Sequence, residues 1–253
     1  MIGDSLGWRI ERACAAAFPP ARCEPVGDWL VGLSGGGSRR SNSASAVRPG
    51  ATLDGATLRA LGDAFAAAGQ PMILRLTDLT DGSDDLLDAA GFAPAEGTTR
   101  TLVRPARVGQ PPSAAEAGGH AGILMRDAPD TYWLATRRRL APAVEDPAAV
   151  AARIGLPTRY ARCGDSATGY AALHDGIAVI EAIGTDPAAR RQGHARAIVA
   201  ALIEWAAGAG AEYVALQVEA TNAAARALYE SAGFVTDAYG YRYRRSPPCP
   251  IPA

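Results

Sequence analysis

The chain has 253 residues, a formal net charge of −1, 48% hydrophobic residues and 20% charged residues. So even a balance argues against a nucleic-acid or membrane partner held by bulk electrostatics, and no apolar run is long enough to span a bilayer. The length admits one large domain or two small ones.

The first residues, Met1-Ile2-Gly3-Asp4, lack a basic stretch followed by an apolar one. No secretory signal is expected, and a soluble cytoplasmic protein follows by default. Cys14, Cys23, Cys163 and Cys249 are scattered, with no C-x-x-C pair and no histidine close by in sequence. They read as reduced thiols, not as a disulfide or metal framework. His120, His174 and His194 have no ligand spacing, so no metal is expected.

In chain order, residues 6–17 read as an amphipathic helix ended by Pro19-Pro20, and 28–33 as a strand. Ser34-Gly35-Gly36-Gly37-Ser38 reads as a hairpin loop, with 40–47 as the return strand. The glycine run lacks a lysine and a following helix, so it is not a phosphate cradle. A helix from Leu53-Asp54 to Ala68, a strand over 72–76, a short helix over 84–90 closed by Gly91, and a strand over 98–103 follow. Residues 107–122 have linker composition.

A helix over 130–140 ends in Arg137-Arg138-Arg139, which suits a helix C-terminus and reads as a solvated helix end. A helix over 147–154 precedes three antiparallel strands, 158–163, 167–174 and 177–185, joined by Gly164-Asp165-Ser166 and Asp175-Gly176. After a turn over 186–189 come Arg190-Arg191-Gln192-Gly193-His194-Ala195, a helix to about Ala207 and a strand over 213–219. A helix over 222–232, a last strand over 238–244 and a proline-rich tail complete the chain.

Residues 177–196 form a strand that feeds a helix through a basic, glycine-containing turn. The first backbone N–H groups of a helix are unpaired and lie at the positive end of its dipole. Gly193 has no Cβ, so a phosphate can approach closely, and Arg190, Arg191 and Arg196 add positive charge. A diphosphate is the expected ligand. The spacing is neither G-x-G-x-x-G nor a P-loop.

Arg190-x-x-Gly193-x-Ala195 matches R/Q-x-x-G-x-G/A, and Asn222, Ala225, Leu228, Tyr229, Gly233 and Phe234 match N-x-x-A-x-x-L-Y-x-x-x-G-F. Two such motifs, in order and separated by a helix and a strand, resemble the GNAT superfamily of N-acetyltransferases. The resemblance implies an α/β (α+β) fold: a mixed, mostly antiparallel twisted sheet flanked by helices, with two central parallel strands that splay apart. It implies acetyl-CoA as co-substrate. The diphosphate would sit on backbone N–H groups of Arg191, Gln192, Gly193, His194, Ala195 and Arg196, beside Arg190. The pantetheine arm would enter between the splayed strands against Ile183, Gly184 and Thr185, with Asn222 nearby. A bulge usually causes such splaying, and Gly184 is well placed for one. His194 is expected beside a CoA phosphate rather than as a base.

The two halves look like a diverged repeat. Asp85 to Phe92 parallels Arg226 to Phe234, and the Phe92–Phe234 offset is 234 − 92 = 142. The helix-to-strand glycines Gly69 and Gly210 are offset by 210 − 69 = 141. The expected organisation is a degenerate, structural GNAT-like unit over 1–106, a linker over 107–122, a catalytic unit over 123–246 and a tail over 247–253. At the tyrosine-equivalent position the first unit has Leu87 or Asp88, depending on the gap. The segment Arg39-Arg40-Ser41-Asn42-Ser43 resembles one in some bacterial tandem GNAT proteins, with a strand-face role favoured over one in orienting substrate.

By the resemblance, Tyr229 is the acid that protonates the departing CoA sulfur. Glu181, a carboxylate in an otherwise apolar strand, is the candidate base or ammonium binder. Strand alternation gives it the same face as Val179 and Ile183; Glu219 is the alternate. The expected activity is direct acetyl transfer from acetyl-CoA to a primary amine of a small molecule or peptide, by a monomer or homodimer. The alternative is a silent acyl-CoA-binding sensor or regulatory module.

Overall fold

The computed structural model describes residues 5–80, 83–107, 122–142 and 144–247. Most of the expected linker and tail, with His120 and Cys249, lie outside them. The described elements are α1 (Leu6–Ala17), β1 (Arg22–Val26), β2 (Trp29–Leu33), β3 (Ala44–Ala46), α2 (Gly55–Ala67), β4 (Ile73–Thr77), α3 (Asp84–Ala89) and β5 (Glu96–Pro105). In the second half come β6 (Ile123–Arg126), α4 (Thr131–Leu140), α5 (Pro147–Arg153), β7 (Thr158–Cys163), β8 (Ala167–His174), β9 (Ile177–Thr185), α6 (His194–Gly208), β10 (Tyr213–Glu219), α7 (Ala223–Ser231) and β11 (Thr236–Arg245).

The eleven strands among the described residues form one sheet, in the order β1-β2-β3-β4-β11-β5-β10-β9-β8-β7-β6. The order crosses the two halves of the chain. β5, from the first half, lies between β10 and β11 of the second, and β11 lies between β4 and β5 of the first. Each half therefore lends its last strand to the other. The exchanged strands pair along their length, from Tyr213↔Pro105 to Glu219↔Thr99 and from Tyr241↔Thr77 to Arg245↔Ile73.

Side-chain alternation distributes the strands' apolar residues between two layers. On β9 and β10, Ala178, Ile180, Val214 and Leu216 meet Ile198 and Leu202 of α6 on one face. On the other, Ile177, Val179 and Ala215 meet Ile10 and Ala13 of α1, together with Trp133 of α4. A fully buried side chain of this kind contributes about 1.5–3 kcal/mol. The N-terminal helix thus packs on the C-terminal half. Within this layer the Glu11 carboxylate pairs with the Arg75 guanidinium and accepts from Tyr239 Oη at 2.6 Å.

The two segments compared in the expected repeat end in the same backbone turn. Phe92 N donates to Leu87 O at 2.9 Å, and Phe234 N donates to Tyr229 O at 3.0 Å. Gly91 and Gly233 stand one residue earlier at φ 75° and 87°. In that turn Leu87, not Asp88, holds the position that Tyr229 holds in the other.

One expectation about the loop after β2 changes. The return strand is only Ala44–Ala46, not 40–47. Residues 39–43 leave the sheet because the Asn42 side chain organises the turn. Its Oδ1 accepts from Ser34 N and Gly35 N at 2.8 and 2.9 Å, and its Nδ2 donates to Gly35 O and Ser38 O at 3.0 and 2.8 Å. Strands β1 and β6, absent from the sequence reading, close the two edges of the sheet.

Candidate active site

The parallel pair β9 and β10 is in register from Ile177↔Tyr213 to Ile180↔Leu216, and no further. Beyond Ile180 the strands diverge. The cause is a bulge in β9: Thr168 stands opposite Gly184, but Tyr170 stands opposite Glu181, so β9 carries one extra residue. The strained residue is Ala182, at φ 58°, and not Gly184 as the sequence suggested. Gly169 makes room opposite, since a Cβ there would lie 2.4 Å from Ile183 Cδ1. The extra residue also shifts the alternation. Glu181 stays on the α4 side with Val179, whereas Ile183 turns to the α6 side and packs against that core. The expectation that Glu181 and Ile183 share a face fails for this reason.

A cleft of about 1210 Å³ opens where the strands part. Glu181, Ile183, Gly184 and Thr185 line it, as do Arg190, Arg191, Gly193, His194, Ala195, Arg196, Asn222 and Tyr229. Gln192 does not; its amide turns back towards Ala188 O, 3.5 Å away. Gly193 occupies the position before α6 at φ 85°, and Arg191 is also left-handed at φ 63°. The first backbone bond of α6 runs from Ala197 N to Gly193 O, leaving the N–H groups of His194, Ala195 and Arg196 outside the helical ladder. A Cβ built on Gly193 meets nothing within 4 Å. This is a built anion seat: three backbone donors, a left-handed turn and three exposed arginines. The residues fit a coenzyme diphosphate.

His194 has a second partner that sequence spacing could not show: its Nδ1 lies 3.2 Å from Cys163 Sγ. Asn222 caps α7, its Oδ1 accepting from Ala225 N at 3.1 Å.

Tyr229 is 7% exposed, and its ring meets Phe234 edge-on with centroids 6.1 Å apart. Burial, aided by the Glu181 charge, pushes its phenol up to about 12. The hydroxyl therefore stays protonated at neutral pH. A free thiol titrates near 8.5, so complete proton transfer to a solvated thiolate would cost roughly 5 kcal/mol. The phenol is better suited to donate a hydrogen bond to a thiolate as charge develops there.

Glu181 is largely buried, with 12% of its side chain exposed, and it does not stand alone. Arg40 of the first half donates from Nη1 to Glu181 Oε1 and to Gln217 Oε1, both at 2.8 Å. The Arg40 guanidinium also lies 4.4 Å from the centroid of the Phe18 ring. Burial alone would lower the pKa of this guanidinium; the charge and hydrogen bond of Glu181 outweigh it, and the net direction is upward. Arg39 pairs with Glu96 and Glu219, each at 3.4 Å. The Arg39–Arg40 segment is therefore part of the site and not a strand face. The missed signal is positional: Arg40 follows a glycine-rich loop, and only the exchange of β5 and β11 brings that loop to β9.

A second chamber, of about 370 Å³, adjoins the cleft. Arg137, Glu181, Ala182, Gln217 and Glu219 border both. Its far walls include Phe18 and residues 37–40 from the first half, and Trp133, Tyr160 and Tyr170 from the second. Of the three arginines ending α4, Arg138 pairs with Asp146 at 2.7 Å and Arg139 pairs with Asp186. Arg137 instead points inward, one helical turn beyond the buried Trp133. The solvated reading of the triplet fails for Arg137, which burial holds below its ordinary pKa.

A parallel strand pair opened by a bulge, with a glycine turn and an anion-seating helix at its end, defines the GNAT acetyltransferase fold. The family model described as "Probable histone acetyltransferase Rv0428c C-terminal" matches residues 8–244, and the chain belongs to this family. It is thus an acetyltransferase. It is similar to a GCN5-related N-acetyltransferase from Kribbella flavida, 19% identical over 97% of both chains with a TM-score of 0.67. It is also similar to a putative GNAT-family acetyltransferase from Novosphingobium aromaticivorans, 20% identical over 96% of this chain and 98% of that one, with a TM-score of 0.53. A tandem GNAT protein from the clavulanic acid biosynthesis pathway is 13% identical over 93% and 87% of the two chains, with a TM-score of 0.54. At these identities the likeness is one of fold. No curated protein matches the chain.

Proposed function

We propose that the protein transfers an acetyl group from acetyl-CoA directly to a primary amine, with the chemistry in residues 123–246 and the first 106 residues as a structural unit that also walls the acceptor chamber. The observation that carries this reading is the continuity of the two cavities: the diphosphate seat at Gly193 and the acceptor chamber share a border at Glu181 and Gln217, where β9 and β10 part.

The amine nitrogen, neutral when it attacks, forms the new C–N bond at the thioester carbon. The C–S bond breaks, the sulfur leaves with the electron pair, and the nitrogen loses one proton. The residues supply three things. The backbone edge of β9 from Glu181 to Thr185 has no strand partner on the β10 side, which suits it to hold the pantetheine arm as an added strand. Tyr229 stabilises the leaving sulfur. Glu181 receives the amine proton, directly or through water; its Oε1 is engaged by Arg40, so Oε2 faces that task. The family's description names a histone acetyltransferase, a protein acceptor; a chamber of about 370 Å³ with aromatic walls supports a small one better.

The test is thiol release from acetyl-CoA over a panel of primary amines, scored alongside acetyl-CoA affinity. Release that depends on an amine supports the transferase. Tight binding without release under any amine would leave the silent acyl-CoA sensor as the correct reading.

A further inference from the structure

Three arginines and three carboxylates line the acceptor chamber, and their pairing leaves one arginine over, because Glu145 is matched by Arg153 from outside the lining. The three carboxylates are each matched: Glu181 by Arg40 at 2.8 Å, Glu219 by Arg39 at 3.4 Å and Glu145 by Arg153 at 2.7 Å. Arg137 makes no ion pair among the described residues, where of the carboxylates only Glu181 acts on it, from further off, and its guanidinium stands at the border of chamber and cleft, with Nη1 3.6 Å from where a Cβ on Gly184 of the cleft would lie. A partly desolvated cation without a counter-ion is costly unless a ligand supplies one. The helix holds it there: Trp133, one turn earlier on the same face, is anchored by its Nε1 to Ala161 O and Gly169 O, each at 3.1 Å. Arg138 and Arg139 are tied outward to Asp146 and Asp186, so neither adds its charge to the chamber.

The geometry points to Arg137 as the seat of a carboxylate on the acceptor, which makes the substrate class an amine that also bears a carboxylate, as an α-amino acid does. This rests on the transferase reading above. The sign of the charge decides the class. A simple monoamine, neutral for attack, would leave the arginine unmatched, and a diamine would bring a second positive charge to it. An amino acid enters as a zwitterion; once its amine is neutral for attack, a single negative charge remains to match the single unpaired cation. A phosphate, with up to two negative charges, would overcompensate beside Glu181. The planar guanidinium can hold a carboxylate with two parallel hydrogen bonds.

The experiment compares paired acceptors that differ only in the carboxylate: phenylalanine with 2-phenylethylamine, and lysine with cadaverine. Thiol release gives kcat/KM for each. Charge-assisted hydrogen bonds of this kind correspond to a preference of about tenfold to a hundredfold, so the carboxylate-bearing member should lead by that factor in the wild type. In Arg137→Gln the ratio should fall to about one, and Arg137→Lys should recover part of it. A ratio unchanged in Arg137→Gln, with KM for acetyl-CoA raised instead, would assign the guanidinium to the coenzyme and overturn the proposal. Calorimetric titration with N-acetylphenylalanine and N-acetyl-2-phenylethylamine provides a readout free of turnover. Arg137-dependent preference for the acid supports the carboxylate seat even if no amine is acetylated, and equal affinities would sink it while leaving the transferase reading standing.

Discussion

Arg40 Nη1 and Glu181 Oε1 lie 2.8 Å apart although 141 residues separate them in the chain. The pair joins the loop after β2 to the strand whose bulge opens the active cleft. Neither partner is more than 20% exposed at its side chain, so the interaction is only weakly screened by solvent. It links the first half of the molecule to the chemistry of the second. Arg40 also fixes Gln217, whose Oε1 accepts from Tyr241 Oη at 3.1 Å as well.

Arg40→Ala should lower kcat by about tenfold or more, because it frees Glu181 to turn and leaves a half-buried carboxylate without its counter-ion. The cost in stability should be about 3 kcal/mol, in the range for breaking a buried pair. Arg40→Lys should retain the charge but lose the planar guanidinium that lies over Phe18 and whose Nη1 donates to both Glu181 and Gln217, and so fall between the wild type and Arg40→Ala. Steady-state kinetics with denaturant unfolding separates the effects. Full activity in Arg40→Ala would mean that Glu181 needs no positioning.

Tyr229→Phe should reduce kcat by about a hundredfold with little change in KM for acetyl-CoA. The ring contact with Phe234 survives the substitution, so folding should be nearly unaffected. The pH dependence follows from the raised phenol. An ordinary tyrosine titrates near 10, whereas burial moves Tyr229 up to about 12. The wild-type rate should therefore not fall through pH 10 from loss of this proton. The same shift stabilises the fold: its contribution is complete below the unfolded value near 10 and is lost as pH rises through 12. A rate that fell near pH 10 in the wild type but not in Tyr229→Phe would show that the hydroxyl is solvated.

Much of this was legible in the sequence. The two motifs, the 142-residue offset and the strand-glycine-helix order located Gly193, Asn222 and Tyr229 and named the fold. What was missed has identifiable causes. β1 and β6 are the outer strands, short and half exposed, so neither has a long apolar or alternating run. β1 even contains Pro25, a residue tolerated only at an edge. The bulge at Ala182 hid because alanine gives no local sign of a left-handed backbone; the hint lay across the ladder, in Gly169. Arg40 and Arg137 were set aside for different reasons. Arg40 depends on the strand exchange, a relationship between distant segments. Arg137 was masked by its neighbours, although its spacing of four from Trp133 already placed it on the buried stripe of α4.

Gly193→Ala tests the anion seat. At φ 85° an alanine strains the backbone by about 1–2 kcal/mol, and its methyl group would stand in open space in the cleft. KM for acetyl-CoA should rise by about tenfold while kcat changes little, since the acceptor chamber is untouched. Thermal shift by desulfo- and intact CoA should weaken alike, as both carry the diphosphate. An unaltered KM would place the diphosphate elsewhere.

The Glu11–Arg75 pair is the most deeply buried charge pair of the fold's described residues, with side chains 7% and 4% exposed. Arg75 also stacks over Tyr241, 3.9 Å from the ring centroid. Burial would push the Glu11 carboxyl up, but the Arg75 charge and the hydrogen bonds from Arg75 and Tyr239 outweigh it, and the net direction is below the ordinary 4.5. A depressed carboxylate stabilises the fold above its unfolded value and loses that contribution as pH falls through the folded one. Denaturation below about pH 4.5 should therefore be shallower in Glu11→Gln than in the wild type, from a lower starting stability. At neutral pH Glu11→Gln should cost about 3–5 kcal/mol, because it leaves Arg75 buried and uncompensated. The double variant Glu11→Leu with Arg75→Met should recover most of that loss, since an apolar pair of similar volume removes both desolvation penalties. Urea unfolding of the single and double variants across pH decides it. A double variant no more stable than Glu11→Gln would mean that the hydrogen bond from Tyr239, rather than the unpaired arginine, sets the cost.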